Sequence, residues 1–217
     1  MRVDYKPLLE YLLRLPSAQL YHNKHLMQYL SEDSNKHLWR LCDKVIDILK
    51  LHNIDIGSCI NIGTGPGFFE HKVKSRLGLD MPSADLRDAG YGDVGYEIAG
   101  YETIKKQLGV TNYIMESIWS EYFKIYDCDK VYDNALIMRF VPLNESCDTG
   151  NKLYTIIDNI GKYADNIISV EYNNNFKRKS IEKWLRDYKI GEVLNYNIYY
   201  INVKKAKKSL RNYITQK

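Results

Sequence analysis

The spacing of apolar positions along the chain changes period several times, and each change marks an element. Residues 8–15, Leu-Leu-Glu-Tyr-Leu-Leu-Arg-Leu, have helical spacing that stops at Pro16, which cannot donate the hydrogen bond a further turn needs. A second helix is predicted over 17–30, with Leu20, Leu26, Met27 and Leu30 as its stripe. A third runs from about 34 to 51, with Leu38, Leu41, Val45, Ile48 and Leu49 on one side. Ser31 and Ser34 offer an N-cap at its start. The period then collapses into a short apolar run, Cys59, Ile60 and Ile62, that breaks at Gly63, Gly65 and Gly67. Helical spacing resumes at Phe68, Phe69, Val73 and Leu77 and lasts to about Arg76.

Beyond this turn the pattern alternates strand with helix. Residues 83–86 end a short second strand, and 91–100, with three glycines, read as a loop. A helix over 101–108 stops at Gly109, and 111–115 form a third strand. The fourth strand, 134–141, is almost continuously apolar and is closed by Pro142, as expected for a central parallel strand covered on both faces. A helix over 152–163 aligns Leu153, Ile156, Ile157 and Ile160; a fifth strand follows at 166–171, then a helix at 180–188. Two alternating stretches, 192–196 and 199–203, predict an antiparallel hairpin.

Strand, glycine-rich turn and helix together open a nucleotide-binding α/β domain. Glycine takes backbone angles that a side chain forbids, and its missing Cβ lets a ligand lie on bare backbone. The amides that open the following helix face such a ligand with partial positive charge. The spacing excludes two ligand classes. A dinucleotide fingerprint, G-x-G-x-x-G, needs glycine at 68, where the chain has Phe68, and no Gly-Lys-Ser/Thr of a phosphate loop occurs.

Ile60-Asn61-Ile62-Gly63-Thr64-Gly65-Pro66-Gly67 resembles motif I of the class I S-adenosylmethionine (SAM) dependent methyltransferases, hydrophobic-Asp/Glu-hydrophobic-Gly-x-Gly-x-Gly. Asn61 departs from it: the amide keeps the size and acceptor oxygen of an acid but not its charge. The resemblance implies a Rossmann-like, doubly wound, mostly parallel seven-stranded sheet with a C-terminal antiparallel hairpin, and an N-terminal helical extension. It implies a helical cap over 1–54 that shapes the acceptor pocket, a SAM-binding domain over 55–205, and a basic tail over 206–217. Asn61, Gly63, Thr64, Gly65 and Gly67 are the matching cofactor residues. Ser117 and Ile118, just past the third strand, are expected to read the adenine edge and pack on its face.

A carboxylate about 20 residues past the glycines can accept hydrogen bonds from ribose hydroxyls. Asp85 matches best, with Asp80 and Asp88 as competitors. Tyr132-Asp133 resembles the start of motif IV. Arg139 breaks the fourth strand's apolar run near its C-terminal end, where it either faces the SAM carboxylate or an acidic acceptor, or pairs with Asp127 or Asp129. Candidates for a base are His22, His25 and His71, with Asp133, Glu145 and Glu171; His22 and His25 share a helical face. The expected reaction is methyl transfer to an O or N atom of a small-molecule or sugar-like acceptor. RNA methylation and a catalytically inactive binding or scaffold subunit are the alternatives.

Composition adds bounds. With 31 Lys and Arg against 27 Asp and Glu the net charge is +4, too mild to argue for nucleic acid by itself. Part of the excess sits in Lys204, Lys205, Lys207, Lys208 and Arg211, read as a solvated tail with RNA as the minority partner. The cysteines Cys42, Cys59, Cys128 and Cys147 make no metal-spacing pair, and no metal site is expected. Reduced thiols and the absence of any long apolar run lead to the expectation of a cytoplasmic protein with no membrane span.

Overall fold

A computed structural model describes residues 32–63, 67–86, 109–110, 112–138, 150–173 and 179–215. The helices expected at 8–15, 17–30 and 101–108 lie outside the described residues, as do His22, His25, Thr64, Gly65, Asp88, Arg139, Glu145 and Cys147. The described elements are helix α1 (Glu32–Leu51), strand β1 (Cys59–Ile62), α2 (Phe68–Leu77), β2 (Ser83–Leu86), β3 (Asn112–Met115) and β4 (Tyr132–Met138). They continue with α3 (Gly150–Ile160), β5 (Ala164–Tyr172), α4 (Lys179–Arg186), β6 (Lys189–Val193), β7 (Tyr196–Asn202) and α5 (Val203–Thr215).

One seven-stranded sheet runs in the order β3-β2-β1-β4-β5-β7-β6. All pairings from β3 across to β5 are parallel, whereas β7 is antiparallel to both β5 and β6. This is the Rossmann-like, doubly wound sheet with a C-terminal hairpin that the motif resemblance implies. Chain direction reverses its winding between β1 and β4, so the carboxyl ends of these two strands flank the crevice where such folds place ligands.

Strand parity sorts the side chains into two cores. On one face, Ile60, Ile62, Ala135, Ile137, Ile167 and Ile201 pack with Leu153, Ile156, Ile157 and Ile160 of α3, Leu185 of α4, and Ala206 and Leu210 of α5. On the other, Leu136, Ile168, Val170 and Ile198 pack with Leu41, Val45, Ile46 and Leu49 of α1 and with Phe68, Phe69 and Val73 of α2. Both faces of β4 and β5 are thereby covered, which accounts for their near-continuous apolar sequences.

Three expectations are corrected. First, α1, expected within a helical cap over 1–54, packs as a core helix. Leu41, Cys42, Val45 and Ile46 are each 0% exposed, and the expected boundary at residue 54 falls inside continuous packing. Second, the basic tail is the exposed side of α5, whose Val203, Ala206 and Leu210 close the first core. Gly161 permits this docking: a Cβ there would lie 2.6 Å from Val203 Cγ1. Third, the hairpin turns earlier than its alternation predicts. Its turn is Leu194–Asn195, with Leu194 at φ 51°, so Asn197 belongs to β7 and pairs in register with Glu171. The misreading has a physical source: Tyr196, Asn197, Ile198 and Tyr199 are all buried, so the outward face of β7 gives no polar alternation.

Among the described residues, no helix is long and apolar enough to cross a membrane, and no group of His, Cys, Asp and Glu could hold a metal ion. Cys42, Cys59 and Cys128 are free and buried. Burial pushes the Cys59 thiol up to about 12, and pushes Cys42 up as well, with Glu70 and Asp43 adding to it. Both stay protonated and inert at neutral pH.

Candidate functional site

The site is built where β1 ends. Ile60 and Ile62 point into the α3 side, so parity turns Cys59 and Asn61 toward α1 and α2. Asn61 is 1% exposed, and its Nδ2 donates to Glu70 Oε1 at 2.9 Å. Glu70, 2% exposed, stands in the first turn of α2, where the helix dipole favours a carboxylate. The other amide atom, Asn61 Oδ1, is sealed from solvent without a hydrogen-bond partner among the described residues. A buried acceptor left so costs roughly 1–3 kcal/mol, and the chain tolerates it beside the glycine turn.

Between strand and helix the backbone is left-handed at both described glycines. Gly63 has φ 72°, and Gly67 has φ 79° and ψ 24°. Gly63 is held to β2 by its N–H to the Ala84 carbonyl at 2.8 Å. Gly67 opens α2 with no side-chain cap, and its carbonyl accepts the His71 N–H at 3.1 Å. Ile62 pairs in register with Ala84, so Gly63 and Asp85 lie at the same level. Asp85 is half-buried there. Its competitor Asp80 is exposed and forms an ion pair with Lys74 at 2.8 Å, away from the turn. Leu86 pairs with Met115, which brings Glu116 and Ser117 to the same edge. Glu116 accepts from Tyr126 Oη at 2.6 Å, and Ser117 Oγ accepts a long bond from the Trp119 N–H at 3.4 Å. Ile118 is 1% exposed within the first core, and its carbonyl receives Asn159 Nδ2 at 2.9 Å.

The structure therefore brings together Asn61, Gly63, Gly67, Asp85 and Ser117 at the carboxyl edge of β1, β2 and β3. It does not bring Asp133 there. Cys59 pairs with Asn134, so Asp133 sits beside Ser58 at the opposite, amino edge, exposed, with its N–H on Ser58 Oγ. As a candidate base, Asp133 is therefore remote from the glycine turn.

Two acids show what the sequence reading left out or left open. Glu70 lies just beyond the glycine motif and has no place in its pattern. Its signal was present: an acid three residues after Gly67, in the first turn of a helix without a cap. Glu171, one of several candidate bases, is 4% exposed near the carboxyl end of β5 and accepts from Ser169 Oγ at 2.7 Å. Opposite it in register, Asn197 holds a buried Oδ1 with no hydrogen-bond partner among the described residues.

His71 borders the site on α2. Its ring meets the edge of Trp39 with centroids 5.9 Å apart, and its Nδ1 is buried without a hydrogen-bond partner among the described residues. Burial lowers its pKa, and Lys72 and Lys74 lower it further. The unfolded chain therefore takes up the proton first. Stability is whole above about pH 6.5 and falls as the pH drops from there through the folded-state value. Thermal melts between pH 8 and 5 should show a fall in Tm that is shallower in His71→Gln; equal slopes would remove His71 as the cause.

No family model matches the chain, and no curated protein matches it. Several solved structures are similar to it. The methyltransferase domain of bacterial CtHen1-CN is 13% identical, over 75% of this chain and 97% of that one, at a TM-score of 0.48. An O-methyltransferase family protein from Burkholderia thailandensis is 12% identical, over 92% and 68%, at 0.48. Magnesium protoporphyrin IX methyltransferase from Synechocystis PCC 6803, with bound SAM, is 8% identical, over 87% and 98%, at 0.47. At such low identity, the fold assignment rests on the chain's own strand order and register.

Proposed function

We propose that the chain is a SAM-dependent methyltransferase that acts on an O or N atom of a small-molecule or sugar-like acceptor. The observation that carries this reading is the pair of left-handed glycines between β1 and an uncapped α2, level with Asp85, at the switch point of the sheet. SAM, when bound, supplies a methyl group on a sulfonium. The residues present fit it: bare glycine backbone for close approach, α2 amides for a carboxylate, and Asn61 Oδ1, without a partner among the described residues, for an N–H or ammonium donor.

In this reading the chain's work is positioning and exclusion of water. Gly63 and Gly67 shape the turn, Asn61 and Glu70 hold it from beneath, Asp85 accepts from ribose hydroxyls, and Ser117 lies at the adenine edge. Glu171, oriented by Ser169, is the described carboxylate best placed to hold an acceptor proton at the sheet's carboxyl edge. Arg139, His22 and His25 remain candidates from sequence alone.

Asn61 in the acidic position favours a second reading, a domain of this fold that binds a partner without catalysis. Calorimetric titration with S-adenosylhomocysteine separates the two. One site of roughly micromolar Kd, near −8 kcal/mol, is expected; no heat at millimolar ligand would overturn the enzyme reading and leave the binding subunit.

A further inference from the structure

A second site stands at the other end of the sheet. On α5, Lys204, Lys207, Lys208 and Arg211 fall at i, i+3, i+4 and i+7, and so share one stripe of the helix. With Gly161, Ala164, Asp165 and Val203 they line an open cleft of about 400 Å³ between α5 and the turn entering β5. Ala164 opens β5, while the level of the glycine turn corresponds to Val170, two strands over. Six residues of strand separate the two levels, roughly 20 Å, so this cleft belongs to neither the cofactor crevice nor its rim.

Charge in the cleft is unbalanced. Lys207 forms an ion pair with Asp158. Arg211 donates to Tyr154 Oη at 2.7 and 3.1 Å. Lys204 and Lys208 are exposed and, among the described residues, belong to no ion pair. Asp165 is the single acid of the lining. A solvated helix face gains nothing from gathering like charges into a concavity, since each cation raises the cost of the next. An anion placed there would relieve it.

We infer that this cleft binds the phosphates of a nucleic-acid backbone. The stripe from Lys204 to Arg211 is about 10 Å long, which suits two or three consecutive phosphates of an extended single strand better than one compact anion. Val203, Ala206 and Leu210 of this helix are buried, so among its described side chains α5 offers a membrane none to insert. Tyr154 lies beneath cations and Trp184 is half-buried against Tyr188, so neither ring is presented for base stacking. Recognition is therefore of backbone charge and indifferent to sequence. This site does not depend on the methyltransferase reading.

The test is fluorescence anisotropy of a labelled 20-nucleotide oligouridylate with the full chain and with the double variant Lys204→Glu/Lys208→Glu. Three phosphates engaged give a slope of log K against log salt near −2, or roughly a 20-fold loss of affinity from 50 to 200 mM salt. The double variant should bind at least 10-fold more weakly while its Tm and its response to S-adenosylhomocysteine are unchanged, because both lysines are exposed and remote from the turn. Equal binding by the two chains would overturn the proposal, as would affinity indifferent to salt. So would inorganic phosphate that displaces the oligonucleotide at about 1 mM, which would mark a site for one free anion. Binding of phosphatidylserine vesicles by the wild-type chain alone, without oligonucleotide binding, would assign the cleft to a lipid surface instead.

Discussion

Asn61→Asp should lower the Tm of this protein at pH 8 and leave it nearly unchanged near pH 4. In the wild-type chain one buried carboxylate, Glu70, accepts from the Asn61 amide at 2.9 Å. The variant replaces that donor with a second acid at the same distance. Two carboxylates so close cannot both ionise in a buried setting, so the pair shares a proton and one group's folded-state pKa is raised. For a raised carboxyl the sign is fixed. Its contribution is fully present below the unfolded pKa of about 4 and is lost as pH rises through the folded value. The deficit should therefore grow from pH 4 upward, toward the roughly 3 kcal/mol typical of a broken buried pair.

The compensated variant Asn61→Asp/Glu70→Gln restores one acid and one amide and should recover most of the loss. Glu70→Gln alone removes the charge from beneath the turn and should weaken S-adenosylhomocysteine binding about 10- to 100-fold. Melts at four pH values and the matching titrations check both points. An Asn61→Asp chain as stable as wild type at pH 8 would show that the Glu70 carboxyl is already neutral.

Gly67→Val should abolish S-adenosylhomocysteine binding and cost about 2 kcal/mol of stability, a fall in Tm of roughly 4–8 °C for a chain of this size. Valine is β-branched, and φ 79° at this buried position is a left-handed backbone that it resists. Stability and binding are then lost together, which leaves the cause of the binding loss open. Gly67→Asn separates them, because asparagine tolerates the left-handed region and is a good helix N-cap. The expected result is a melt close to wild type with affinity still down by more than tenfold, since a side chain now stands where bare backbone was needed. Wild-type affinity in Gly67→Asn would mean that no ligand lies against this glycine.

Much of the architecture was legible because the period of the apolar positions is a local property. The β1 run, the glycines, α2 and the apolar strand β4 all follow from residues within a few positions of one another, and each lies where the spacing puts it. The misplacements share one cause. β7 is buried on both faces, so its alternation was misread, and the charge run at 204–211 was read as a tail because its apolar partners, Val203, Ala206 and Leu210, are few and spaced among lysines.

The site divides in the same way. The turn glycines and Asp85 were named from spacing, since left-handed backbone and distance along the chain are both written locally. The partnership of Asn61 with Glu70 was not. It depends on the strand pointing its second polar residue toward the helix and on the helix turning its first acid back, nine residues away. Asp133 shows the converse. Its neighbours fit a motif, but register with β1 places it at the amino edge of the sheet, where no side chain can reach the turn. By itself the sequence determined the order of elements, the ligand classes that the glycine spacing excludes, and the helical character of the chain's parts. Only the tertiary structure decided which edge each acid occupies, which charge stands beneath Asn61, and that the basic run is one wall of a cleft. Those are consequences of register and packing between segments that are distant in sequence.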